Sequence, residues 1–316
     1  MGEPSAGFDS GLGLEPRVSG GNGHTVVLTF TRAPQRVVSL VPSMTESLID
    51  LGASAALVGV TDYCPLPPGP EGSIARVGGT KSPRVEEVVA LRPDLVIANQ
   101  EENSRASVEA MEAKGLRVWV TFPRRIAEAV RILWTLIELF RIPHAAPRVK
   151  TLEVALEWAS RAADGTPGVS VFCPIWASET GAATPWWMTF NRNTYAHDVL
   201  SVTGGRNVFA DRERRYPLDA DLGLTAAEDP GSRDIRYPRV TVEEIREAEP
   251  ELILLPSEPY AFGPEDEARL RALLEGTPAV RQGRVIPADG SLLTWHGTRL
   301  ARALVELPSL MQTESK

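Results

Sequence analysis

The sequence predicts an α/β fold of two lobes, each with a small, mainly parallel sheet flanked by helices, joined by one long backbone helix. Three observations carry that expectation. A helical stretch sits mid-chain between two copies of one pattern, apolar β-branched runs alternate with helical runs on both sides of it, and the composition supports two cores. The 316 residues are 43% hydrophobic and 23% charged, ordinary for globular chains of this length.

The central stretch, residues 125–164, places Ile126, Ala129, Val130, Leu133, Leu136, Ile137 and Phe140 at three- and four-residue steps, the spacing of one apolar helix face. Pro143 and Pro147 put a break between Arg141 and Pro147. Leu152, Ala155, Leu156, Ala159 and Ala163 then resume the period up to Gly165. At ~1.5 Å per residue this second run spans roughly 25 Å, a connector rather than a tether. Before the spine stands VEEVVALRPDLVI, Val85 to Ile97, and after it VEEIREAEPELIL, Val242 to Leu254. Aligned without a gap, Val85, Glu86, Glu87, Pro93 and Leu95 match Val242, Glu243, Glu244, Pro250 and Leu252. Each copy reads as a short amphipathic helix stopped at proline and followed by an apolar strand, so the two lobes read as duplicates.

Residues 1–24 are rich in Gly, Ser and Pro and read as a flexible arm. They show no basic start, apolar core or lipid-attachment cysteine, so the expectation is cytoplasmic residence as written, with a periplasmic or cell-surface location if the start is truncated. The first lobe, residues 25–124, begins with an edge strand in HTVVLTF. Arg36 to Gly52 follows as strand, Pro-Ser break and helix, with Ser43 or Thr45 as N-cap. The unit repeats with AALVGV, with DLVIA before a helix from Ser104 to Lys114, and with LRVWV. In the second lobe, residues 165–316, VSVFCPIW is a strand and NTYAHDVLSVTGG a helix. Asp211 to Arg236 is a polar excursion without period, set between elements of the lobe. ELILLP, a helix from Glu265 to Leu274, the strand RVIPA and a helix from Thr298 to Leu307 complete the lobe.

A formal net charge of -8 and the lack of any basic run argue against a nucleic-acid partner. Cys64 and Cys173 have no CxxC spacing and read as small buried side chains, with a lobe-to-lobe disulfide as the alternative. No nucleophile motif, Walker loop or HExxH occurs, so no catalytic residue, metal site or intrinsic cofactor is expected and the chain is not read as an enzyme. In open α/β sheets ligands bind beyond the carboxyl ends of the strands. The loops predicted there hold Trp176, Trp186, Trp187 and Trp295, four of the seven tryptophans, with Tyr63, Tyr237 and Tyr260. That concentration suits a large, flat or ring-shaped ligand.

Taken in order, RVVSLVPSMTE, VGVTDY, VGGTKSPRVEEVVALRPDLVIA, the spine, GGRNVF, YPRVTVEEI, PELILLP and DGSLLTWHGTRLA resemble the helical-backbone, periplasmic-binding-protein-like receptors for cobalamin, ferric siderophores and haem. The resemblance covers roughly residues 36–308 and is nearest to the cobalamin-binding branch. It implies a monomeric substrate-binding protein that holds a corrinoid between its lobes and delivers it to an ABC permease, with little closure on binding. A ferric-siderophore or haem receptor is the alternative, His296 or a tyrosine then supplying an axial ligand. A cytoplasmic tetrapyrrole chaperone or enzyme is the reading from another class. The resemblance assigns Glu86 and Glu243 to permease docking. It also brings Thr80 and Asn99, where the branch can place tryptophan, and the neighbouring Gln100 into the ligand-binding set.

Overall fold

The computed structural model describes residues 17–19, 25–27, 30–67, 73–165 and 167–312. The expected flexible arm, residues 1–24, lies outside the described residues except for Arg17–Ser19. The chain divides into two compact units, Met1–Phe122 with Ile132–Ala146 and Pro123–Arg131 with Pro147–Lys316.

In the first unit β1 (Arg17–Ser19) and β2 (Thr25–Val27) form an antiparallel pair of their own. The strand expected at the lobe's edge is thus partnered by β1 and not by the main sheet. Then follow β3 (Val37–Ser39), α1 (Pro42–Asp50), β4 (Leu57–Val60), β5 (Ala75–Arg76), α2 (Val85–Ala90), β6 (Leu95–Asn99), α3 (Arg105–Ala113) and β7 (Val118–Thr121). The last five strands make one parallel sheet in the order β5-β4-β3-β6-β7. Every residue of β3 and β6 is buried, as a parallel sheet covered on both faces requires. Val38, Leu40, Val88, Val96 and Met111 form its core. α1 starts one residue before Ser43, because Pro42 occupies the first helical position, where its missing N–H costs nothing. Ser43 and Thr45 therefore sit inside the helix, and Thr45 Oγ1 donates to the Val41 carbonyl and to Ser39 Oγ instead of capping. Ser104 does cap α3, accepting from the Ser107 N–H.

The spine is two helices, α4 (Ile126–Phe140) and α5 (Ala146–Asp164), separated by a 3-10 turn at Pro143–Ala145. Proline ends the helix where the sequence placed the break, and Arg141 leaves α4 in the left-handed region at φ 54°. All seven residues of the predicted α4 stripe are buried. On α5 only Val149 and Leu152 are buried, and Ala155 is exposed, so that stripe fades after one turn. The start of α4 is held within the second unit by Asp198, which accepts from Arg125 Nη1 at 2.7 Å and from the Ile126 N–H at 3.1 Å.

The second unit continues with β8 (Val169–Phe172), β9 (Trp176–Ala177), β10 (Trp186–Met188), α6 (Tyr195–Val202), β11 (Gly205–Asn207), α7 (Leu218–Asp221), β12 (Arg239–Thr241), α8 (Val242–Glu247), β13 (Leu252–Pro256), α9 (Pro264–Leu273), α10 (Pro278–Arg281), β14 (Val285–Ala288), α11 (Ser291–Thr294) and α12 (Leu300–Met311). A parallel sheet runs β11-β8-β13-β14 and a separate antiparallel sheet β12-β10-β9. The second sheet, α7, α10 and α11 are additions to the sequence reading, all too short to show a period. Phe172, Trp187, Val240, Ile245, Ile253, Leu255 and Leu270 share one core. Both cysteines are free and buried, Cys64 in the first unit and Cys173 in the second.

The duplicated segments fold alike in detail. Arg92 and Glu249, equivalent positions after α2 and α8, both take left-handed backbones, at φ 46° and 44°. The acid that follows each proline then holds the start of the neighbouring strand. Asp94 accepts from the Gln35 and Arg36 N–H groups at 2.9 and 3.0 Å, and Glu251 from the Ser170 N–H and Oγ at 2.8 and 2.7 Å.

The excursion at 211–236 is tied down by one carboxylate. Asp221, 1% exposed, accepts from Arg212 Nη1 at 2.9 Å, the Arg215 N–H at 2.9 Å and the Arg239 N–H at 2.8 Å. Removing it leaves two amides without their acceptor and strips Arg212 of one of its two carboxylate partners, Glu244 being the other, and breaking a buried pair from one side typically costs about 3–5 kcal/mol. We expect Asp221→Ala to lower the guanidinium-chloride unfolding midpoint by that order of free energy, followed by tryptophan fluorescence, with Asp221→Asn losing less. An unchanged midpoint in Asp221→Ala would show that the excursion is not held this way.

Candidate functional site

Strand register decides which tryptophans of the second unit face outward. In β12-β10-β9, Trp187 lies opposite Ala177 and Val240, while Met188 lies opposite Trp176 and Arg239, and Trp186 opposite Thr241. Residues directly opposite in an antiparallel pair share a face, and neighbours along a strand alternate. One face therefore carries Ala177, Trp187 and Val240, all buried in the core. The other carries Trp176, Trp186, Met188 and Arg239, with Trp176 45% exposed and the other three half-buried. This corrects the expectation for Trp187: at 2% exposure it fills the core and has no surface to offer a ligand.

The loop after β13 packs Tyr260 and Phe262 against this core and reaches the outward face at Trp176. Tyr260 meets Trp176 edge-on at 5.5 Å between ring centroids and Phe262 at 4.7 Å. Phe262 was missed by the sequence reading although it stands two residues from Tyr260. Arg239 lies over the Trp186 ring at 5.8 Å, and Arg236 over Tyr237 at 5.0 Å. Trp295 is half-buried after α11, with Arg299 over its ring at 4.7 Å. Its side chain and Thr294 Oγ1 hydrogen-bond Glu258; burial pushes that carboxyl up against the effect of both bonds. Glu258 had no signal in the sequence, being one acid in a loop. His296 is 4% exposed and packs edge-on to Tyr195 at 6.3 Å. Burial brings its pKa down to about 4, leaving a neutral imidazole inside the fold. That corrects the expectation of His296 as a ligand-facing group; its neighbour Trp295, half-buried, is the more accessible of the two.

In the first unit the strand-end loops are bound to one another by Asn103. Its Nδ2 donates to the Thr80 and Leu40 carbonyls at 2.8 and 3.2 Å, and its Oδ1 accepts from the Asn99 N–H at 2.7 Å. The loops after β3, β5 and β6 thus form one surface. On it Tyr63 is 70% exposed, and a Cβ added at Gly79 would lie 3.8 Å from the Tyr63 ring, so Tyr63 and the Gly79-Thr80 turn are brought together. Gln100, directly after β6, is exposed, and Thr80 is half-buried. Asn99 is otherwise employed: buried at 3%, its side chain bonds the Glu101 N–H at 2.7 Å and Thr121 Oγ1 at 3.3 Å. Its role is to shape the loop, which corrects its place among ligand contacts. Glu86 and Glu243 are both exposed in the first turns of α2 and α8. Glu86 pairs with Lys114 at 2.6 Å, an exposed pair worth ~0–1 kcal/mol.

Residues 37–119, most of the first unit, match the periplasmic binding protein family. A vitamin B12-binding protein of Photorhabdus laumondii is 27% identical over 185 residues, 58% of this chain and 65% of the relative. The chain thus spans just under two thirds of the length of that relative. The structure is similar to the periplasmic vitamin B12 binding protein BtuF of Vibrio cholerae, with TM-score 0.66 and 20% identity over 88% of this chain and 96% of that one. It is also similar to the periplasmic heme-binding protein RhuT of Roseiflexus, with TM-score 0.64 and 21% identity over 88% and 97%. These matches bear out the resemblance to periplasmic-binding-protein-like receptors and the two-lobe α/β fold class. The family and these named proteins are binding proteins and not enzymes. The expectation of cytoplasmic residence is overturned, because the matching family and solved neighbours are periplasmic. That expectation rested on the first 24 residues alone.

His296 makes stability depend on pH with a definite sign. In the unfolded chain its pKa is near the usual ~6.5, so as pH falls below that value the unfolded state takes up a proton that the fold refuses. Stability is lost between about pH 6.5 and the folded value of about 4, on the order of 3 kcal/mol for a shift of this size. Thermal midpoints at pH 7.5 and pH 5 should therefore lie closer together in His296→Gln than in the wild type. Equal separation would mean that the imidazole is not held neutral.

Proposed function

We propose that this chain is the solute-binding protein of an ABC importer, working outside the cytoplasm, and that its ligand is a corrinoid of the cobalamin kind. The observation that carries the reading is the outward face of β12-β10-β9. Trp176, Trp186 and Met188, extended by Tyr260, offer a broad apolar platform without any catalytic grouping. A corrinoid brings its metal already enclosed by ring nitrogens, so binding it calls for area and a few hydrogen bonds to peripheral amides. The relatives named as vitamin B12-binding proteins support the same ligand. Tyr63, Thr80 and Gln100 supply polar and aromatic contacts from the first unit, and Tyr237 and Trp295 from the second. Glu86 and Glu243 face the permease, at equivalent positions of the repeat.

Haem is the second reading, favoured by one observation: Tyr63 is exposed enough to present its phenol oxygen to an iron, which buried His296 is not. The absorption spectrum of the loaded protein separates the two ligands.

Calorimetric titration with cyanocobalamin tests the first reading. Truncating a central aromatic in a desolvated contact typically costs ~2 kcal/mol, about thirtyfold in affinity. Trp186→Ala and Trp176→Ala are each expected to weaken binding at least tenfold, and a wild type that binds no cobalamin ends the corrinoid reading. Reversing both docking charges, Glu86→Lys with Glu243→Lys, should abolish uptake in a host carrying the permease while leaving the affinity for cobalamin unchanged. Parallel loss of both would refute a separate docking role.

A further inference from the structure

Trp176 and Trp186 owe their outward position to strand register, but Trp295 lies in neither sheet of its unit. It directly follows α11 and is half-buried. An indole carries one donor and no acceptor, so a half-exposed ring turns about its side-chain torsions unless that donor is engaged. Here it is engaged. The Trp295 side chain donates to the Glu258 carboxylate, and Thr294 Oγ1 donates to Glu258 Oε1 at 3.0 Å. Arg299 covers the ring, its guanidinium carbon 4.7 Å from the centroid.

Glu258 is itself fixed by its backbone. The Ser257 N–H donates to the Ala288 carbonyl at 3.0 Å and Ser257 Oγ accepts from the Gly290 N–H at 3.1 Å, so the loop after β13 lies against the start of α11. No room is left between them. A Cβ added at Gly290 would stand 2.6 Å from the Glu258 carbonyl oxygen and 2.8 Å from its Cγ. Arg299 is anchored in turn beside Asp289, Nη1 to Oδ2 at 3.9 Å, and Asp289 Oδ1 accepts from the Ser291 N–H and Oγ at 3.0 and 2.6 Å. The indole thus has a fixed acceptor at its donor and a fixed cation over its face. Burial and the nearby Asp289 disfavour the charge of Glu258, while its two donors and Arg299 favour it.

We propose that Glu258 is a positioning residue, which holds the Trp295 indole in the orientation that meets the ligand and acts on the ligand through Trp295 alone. The inference rests on the reading of Trp295 as a ligand contact and adds what prepares it. A side chain ordered before binding does not have to be ordered by binding, which for one such group is worth about three- to tenfold in affinity. An ionised acceptor holds an N–H more strongly than a neutral amide does, so glutamine at this position keeps part of the hold and leucine none.

Two measurements decide it, the first without ligand. The seven tryptophans each give an indole N–H signal in a proton–nitrogen correlation spectrum, and the one absent from Trp295→Phe belongs to Trp295. In Glu258→Leu that signal should move upfield further than any other and lose its protection from solvent exchange, and in Glu258→Gln it should move part of the way. An unmoved Trp295 signal in these variants overturns the hold of Glu258 on the indole. Calorimetric titration with cyanocobalamin reads the consequence. Glu258→Leu should bind about three- to tenfold more weakly than wild type, with Glu258→Gln between the two. In a Trp295→Phe background the same Glu258→Leu change should weaken binding less than about twofold, because the group through which it acts is gone. Equal losses in both backgrounds, or no loss in the wild-type background, overturn the positioning role. Where Glu258→Leu does not fold, Glu258→Gln carries both readings. If the wild type binds no cobalamin, the corrinoid reading falls, and the indole signal alone decides whether Glu258 holds Trp295.

Discussion

A helix stopped by a left-handed residue before proline, with a carboxylate next that seizes the neighbouring strand, is the constraint on which both sheets depend. Arg92-Pro93-Asp94 and Glu249-Pro250-Glu251 make the same turn. Proline bars the helix from continuing, and a left-handed non-glycine residue costs ~1–2 kcal/mol. Hydrogen bonds to the adjoining strand offset that cost. Asp94 also donates its own N–H to the Arg36 carbonyl at 2.8 Å, and Glu251 to the Ser170 carbonyl at 2.9 Å. Each acid thus grips its neighbour from both sides and sets the pairing of Val37 with Leu95 and of Leu252 with Val171. From those registers follow the positions of the strand ends that carry the candidate contacts. The charged state of Glu251 is favoured by the bonds from Ser170, which hold its carboxyl below the usual range.

This constraint explains why so much of the fold was legible. A six-residue helix, a proline, an acid and a five-residue apolar strand leave the same trace twice in the sequence, and the second trace corroborates the first. The α4 stripe was legible for a similar reason: seven positions of one period, all of them buried. The α5 stripe was less so, since alanine at Ala155, Ala159 and Ala163 fits a helix face whether buried or exposed. The antiparallel sheet left no trace. Its strands hold two or three residues each, and β12 returns to β10 across the whole excursion, a pairing that no local pattern encodes.

The candidate site was readable to the level of residue type and no further. Tryptophans in strand-end loops pointed to an aromatic platform, but Trp186 and Trp187 are chemically identical neighbours, and only register assigns one to the outside and the other to the core. Asn99 and Asn103 pose the same problem in the first unit. Both are buried amides, one closing β6 and the other in the loop after it, that hydrogen-bond backbone, and the one that ties the loops together was not the one a ligand-centred reading picked. Buried amides are retained where the backbone has no other partner, so their presence in a strand-end loop argues for loop shape before contact.

The excursion shows how a polar, aperiodic segment acquires a defined place. Three of its carboxylates are engaged close by: Asp221 on Arg212 and two amides, Glu228 on Arg233, Asp234 on Arg236. Because Asp221 takes the Arg239 N–H, the same contact that orders the excursion fixes the backbone from which the Arg239 side chain reaches Trp186. The register of β12 with β10 then puts that guanidinium on the outward face and Val240 in the core. One buried acid therefore couples the ordering of the excursion to the charge beside the aromatic platform, which is why loss of order in the excursion and loss of that charge are expected to be felt at the same surface.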